Sequence, residues 1–73
     1  MGMQTHADII DELGGAHELA RLIDAKPVTA RAWAMRNNIP AEYWPAVARV
    51  ASEVGKPINI ELLAQTQKPR KAA

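Results

Sequence analysis

Glycines, prolines and an asparagine pair interrupt this chain before any helix can grow long, and that punctuation limits the fold more than any other feature. Gly14-Gly15, Pro27, Asn37-Asn38, Pro40, Pro45, Gly55 and Pro57 recur along 73 residues. Glycine accepts the left-handed conformation that closes a helix. Proline suits a first helical turn, where its missing N–H would have had no partner. Between the breaks the apolar residues recur at three- and four-residue spacing, with no two-residue alternation. The pattern predicts an all-α domain of five short helices over residues 1–66, followed by a basic tail at 67–73 too polar to fold.

Thr5 is placed to cap a first helix, with Asp8 favourable in its first turn and Ile9, Ile10 and Leu13 as its apolar edge. A second helix runs from about Ala16 to Ile23, with Leu19, Ala20 and Ile23 on its inner face. A third runs from Pro27 to about Arg36. A fourth is expected from about Ala41 to Val54, with Pro45 in its first turn. Asn59 can cap a last helix from Ile60 to about Gln65.

A chain this short builds a small core of marginal stability, so support from a second copy is a natural expectation. It has no cysteine, hence no disulfide framework and no cysteine zinc site, and only two histidines, His6 and His17. Both are read as exposed helix-end residues. Scattered carboxylates, an unpartnered Ser52 and a Gly14-Gly15 pair without a following lysine give neither a catalytic constellation nor a phosphate loop. No enzyme, metal or cofactor is expected, nor a small-molecule ligand. With no signal sequence or membrane-length apolar run, the expected location is the cytoplasm.

Net charge is only +1, but its distribution is uneven. Residues 1–25 sum to −4 and residues 26–73 to +5. Between Asp24 and Glu42 stand Lys26, Arg31 and Arg36 with no acid. Such asymmetry suits a side that faces a polyanion.

The stretch "ELARLIDAKPVTARAWAMR" fits a helix-turn-helix, two helices joined by a turn of three or four residues. Ala20 is the small residue wanted where the helices approach, while Leu19, Ile23, Ala30 and Trp33 brace the pair. The turn often holds glycine; here Asp24 stands in it. In projection at 100° per residue, Ala30, Trp33 and Ala34 share one side of the third helix. Val28, Arg31, Ala32 and Met35 share the other, flanked by Thr29 and Arg36. The tryptophan side belongs to the core, which turns the arginines outward. Arg31 could then pair with guanine, while Val28 and Ala32 touch thymine methyls. Lys26, Thr29 and Arg36 lie where phosphates would pass, and the amides of Ala16 and His17 could hold another. Asn38, just past the helix, is a further phosphate candidate.

With these residues in view, 8–63 resembles the Cro/CI-like helix-turn-helix domains of phage and prophage repressors. The run "LGGAHELARLI", a tryptophan near the end of the third helix, and "IPAEYW" carry the likeness. The resemblance implies a compact five-helix lambda-repressor-like domain, a homodimer, and a third helix in the major groove of double-stranded DNA, in a bacterial cell. The family's base-reading positions fall here on Pro27, Val28, Thr29, Arg31 and Ala32. Pro27 departs from the pattern, having no side-chain donor, which moves weight onto Arg31 and Thr29.

The fourth helix carries a broad apolar arc of Trp44, Val47, Ala48 and Ala51, widened by Tyr43, Val50 and Val54. Either it is a fully covered core helix, or part of it forms a two-fold interface. On the second reading Tyr43, Trp44, Val47, Leu62 and Leu63 make the dimer contact. The tail has two readings, an arm that contacts DNA and a solvated end. Two functions compete: a sequence-specific transcriptional regulator, in the first place a repressor, and an antitoxin-like protein-interaction module using the apolar stripe of helix 41–54.

Overall fold

The computed structural model describes residues 4–67 and holds five α-helices, with no strand among those residues. They are α1 (His6–Glu12), α2 (Ala16–Ile23), α3 (Pro27–Arg36), α4 (Trp44–Glu53) and α5 (Ile60–Thr66). Residues 68–73 of the basic tail lie outside the described residues.

Each helix starts and stops where local chemistry dictates. The Thr5 hydroxyl accepts from the Asp8 N–H at 3.1 Å, and the Asn59 side-chain oxygen accepts from the Leu62 N–H at 2.7 Å. Each satisfies an amide that the first helical turn leaves free. Gly14 closes α1 at φ +102, a conformation that favours glycine, and a Cβ there would stand 3.0 Å from Glu18 Cγ, so the glutamate side chain would have to shift. Two non-glycine residues take left-handed backbone, Asp24 at the end of α2 (φ 60, ψ 43) and Asn37 at the end of α3 (φ 58, ψ 41). Aspartate and asparagine are the side chains that tolerate it best.

The fourth helix begins later than expected. Ala41–Tyr43 form a 3-10 turn, and α-helix starts at Trp44. An α-helix running through from Ala41 would need the Pro45 N–H to bond the Ala41 carbonyl, and proline has none. The Ala41 carbonyl instead accepts from the Trp44 N–H, and the Pro40 carbonyl from the Tyr43 N–H at 2.9 Å.

One core joins all five helices. Ile9, Ile10 and Leu13 of the first segment meet Leu19 and Ala20 of α2, Ala30 and Trp33 of α3, Val47, Val50 and Ala51 of α4, and Leu63 of α5. Ile39 and Ile58, from the loops, complete it. The arc on α4 is therefore spent within the domain. Val47 and Leu63 are 0% exposed and cannot contact a second copy, which removes both from the expected dimer surface. Tyr43 and Trp44 are half-buried for a similar reason. Tyr43 packs on Trp33 with ring centroids 4.6 Å apart, and the Trp44 indole N–H donates to the Ile39 carbonyl at 2.8 Å. Leu62 is also half-buried against the core.

His6 departs most from expectation. It is fully buried, not an exposed helix-end residue. Its Nδ1 accepts from the Ile39 N–H at 2.7 Å, and its Nε2 lies 2.8 Å from the Leu63 carbonyl oxygen. A ring that accepts at Nδ1 and meets a carbonyl at Nε2 must carry its proton on Nε2, which fixes a neutral tautomer. Trp44 meets this ring edge-on, at 6.0 Å between centroids.

Candidate nucleic-acid interface

Helix α3 shows one side to the core and the other to solvent. Ala30 is 0% and Trp33 5% exposed, while Arg31, Arg36, Val28 and Met35 all face out. The indole, set against Tyr43, anchors the helix about its long axis, and that anchoring determines which side chains project. Pro27 opens the helix after Lys26, whose extended backbone (φ −77, ψ 139) ends the turn from α2. That turn, Asp24 to Lys26, is closed by the Ala25 N–H donating to the Ala20 carbonyl at 2.8 Å. Ala20 and Ala30 are both fully buried, as two closely packed helices need. The Asn37 side-chain oxygen accepts from the Ala7 N–H at 2.8 Å and ties the end of α3 to the start of α1.

The charged groups fall into two sets. Arg21 pairs with Glu18 on α2, Arg49 with Glu53 on α4 at 3.6 Å, and Lys56 with Glu12 across the fold at 3.1 Å. Lys26, Arg31 and Arg36 have no ion pair among the described residues, and all three are exposed. Every described cation without an acidic partner thus belongs to α3 or the residue that caps it. The Arg21 guanidinium, hydrogen-bonded to Glu18, holds that carboxyl below its usual range and is itself raised. This pair removes Arg21 from the free positive charge.

The other candidates fall beside this face or at its edges. Thr29 and Ala32 are half-buried on α3, so less of each side chain is available than of Arg31 or Val28. Ala16 is half-buried and His17 exposed at the start of α2, where Gly15 provides no side-chain cap. The opening amides of that helix are left to solvent or an external acceptor. Asn38 is half-buried, its backbone N–H donating to the Trp33 carbonyl at 3.0 Å. Among the described residues no group of three or more His, Cys, Asp or Glu side chains could hold a metal ion, and no helix is long and apolar enough to cross a membrane.

Sequence reasoning identified the outward set on α3 but not the strength of its apolar component. Val28 is 67% and Met35 84% exposed, the two most exposed large apolar side chains described. Comparison with family models, with curated proteins and with solved structures finds no match to this chain.

Proposed function

We propose that this protein is a sequence-specific double-stranded DNA-binding regulator, a repressor of transcription, in which α2 and α3 act as a helix-turn-helix. The observation that carries this reading is the unpaired cation set on one exposed helix face, with Trp33 locked inward behind it. A polyanion supplies the counter-charge that this face lacks, and a helix bearing arginine among small apolar groups suits a major groove. Arg31 reads guanine. Lys26 and Arg36 hold the backbone, with the α2 amides at Ala16 and His17. The likeness to Cro/CI-like domains, carried by "LGGAHELARLI" and "IPAEYW", supports the same arrangement. A homodimer would set two α3 helices about 34 Å apart on one side of a palindromic site. Its contact surface centres on Val54 and Ile60, each 47% exposed, with the uncovered part of Leu62. Such a regulator works in the bacterial cytoplasm.

The competing reading is a protein-interaction module, favoured by the exposed Val28 and Met35. Salt separates the two, because phosphate-driven binding weakens steeply as salt rises and apolar docking does not. Selection of bound sites from random DNA at two salt concentrations, repeated with Arg31→Ala and Arg36→Ala, tests the proposal. Arg31→Ala is expected to relax preference at one position of each half-site, at a cost of about 1–3 kcal/mol. Arg36→Ala is expected to weaken all sequences alike. Unchanged base preference in Arg31→Ala removes it as the reader, and failure to select any sequence rejects the function.

A further inference from the structure

Resting on the DNA-binding reading, we infer that this protein recognises pyrimidine C5-methyl groups on both sides of the base pair read by Arg31, through Val28 and Met35. The pair stands seven residues apart on one helix face, with Arg31 between them at i+3 from Val28. At 1.5 Å per residue that interval spans about 10 Å. Base pairs stacked at about 3.4 Å place roughly three steps along the same distance. The outward stripe therefore reads apolar, cationic, apolar, with Val28 about 4.5 Å and Met35 about 6 Å along the helix from Arg31, one to two base-pair steps to either side.

The chemistry of the groove edge limits what the two apolar side chains can meet. The major-groove edge offers one apolar group, the methyl on pyrimidine C5, among donors and acceptors that Val28 and Met35 cannot satisfy. Burying an acceptor against valine or methionine without a hydrogen bond is costly, whereas burying a methyl is favourable. Pro27, with neither a backbone N–H nor a polar side chain, strengthens the apolar character of this end of α3. The face favours DNA over a protein partner because Arg31 lies between the two apolar groups without an acid of its own. A partner covering both would bury that charge. The group recognised is the methyl, whether on thymine or on 5-methylcytosine, so cytosine methylation at these positions would change affinity without changing the base.

The test uses the full chain and the best site selected from random DNA. Each thymine is replaced singly by deoxyuridine, and separately each thymine·adenine pair by cytosine·guanine or 5-methylcytosine·guanine. Affinities are measured for the wild type, Val28→Ala and Met35→Ala. Both side chains are exposed, so neither variant disturbs the core, and circular dichroism checks this. One deoxyuridine on each side of the base pair sensitive to Arg31→Ala is expected to weaken binding about fourfold, the worth of one buried methyl. At the same positions 5-methylcytosine is expected to bind more tightly than cytosine. Val28→Ala should abolish the effect on one side and Met35→Ala on the other. A flat deoxyuridine scan on a site that is bound specifically overturns the methyl reading alone. So does a scan that neither variant alters, as it would if the apolar pair served a protein partner. Absence of any selected site overturns the DNA-binding reading itself.

Discussion

His6 is the residue on which most of the fold converges. One imidazole satisfies the Ile39 N–H in the loop after α3 and the Leu63 carbonyl in α5, and the ring is fully buried. Replacing it with leucine keeps the volume, orphans the Ile39 N–H and leaves the Leu63 carbonyl only the Thr66 hydroxyl at 3.4 Å. At about 1–3 kcal/mol for an unsatisfied buried group, His6→Leu is expected to lose at least roughly 1–3 kcal/mol, a large share of what a domain this size possesses. Chemical denaturation measures the loss. Long-range nitrogen–proton correlations of the ring should show the Nε2–H tautomer in the wild type. The position could have been read from the sequence. His6, Ile9, Ile10 and Leu13 fall at i, i+3, i+4 and i+7, on one helix face. What the sequence could not show was the partners, since residues 39 and 63 reach the ring only through tertiary packing.

At the level of helices, the α2–α3 turn determines the geometry of the proposed reader. Asp24 occupies a left-handed position where an L side chain costs conformational energy. Asp24→Gly removes that cost but adds freedom to the unfolded chain. The expected net gain is up to about 1 kcal/mol, equal to a rise of a few degrees in melting temperature, with DNA affinity unchanged. A fall in Tm would show that the aspartate side chain supports the turn. The helix order and the limits of α2 and α3 were legible because their signals are local: a glycine pair, a proline at a first turn, asparagines at an end. The start of α4 was misplaced because a proline that looked tolerable within a long helix instead resets its hydrogen bonding. The sides of α3 were legible from Trp33, whose bulk leaves little choice of orientation. The arc on α4 was not, because burial by neighbours in the same chain and by a second copy leave the same apolar pattern. The Glu18–Arg21 pair contributes little either way. It acts above the unfolded pKa of the glutamate and fades as pH falls through the lowered folded value, and it sits at the surface, where solvent screens it.

For the whole molecule, the division of charge has a geometric counterpart. Among the described residues the free cations gather on α3 and at Lys26 before it, while those elsewhere are paired with nearby glutamates. With Val47 and Leu63 committed to the interior, the proposed two-fold contact falls on the exposed Val54 and Ile60. Sedimentation on a selected palindromic site is expected to show two protein copies per duplex. Ile60→Lys should raise the free monomer fraction and weaken binding to the palindrome more than to a single half-site; equal sedimentation of variant and wild type would place the two-fold contact elsewhere. The hydrogen bond from His6 to Leu63 spans 57 residues, and it has a consequence for biosynthesis. The first helix of this domain presents a ring whose carbonyl partner is made 57 residues later. Until residue 63 emerges, the nascent chain has short helices but no finished interior. Closure of the interior therefore waits for α5, and a chain truncated before residue 63 is expected to be more open to proteolysis.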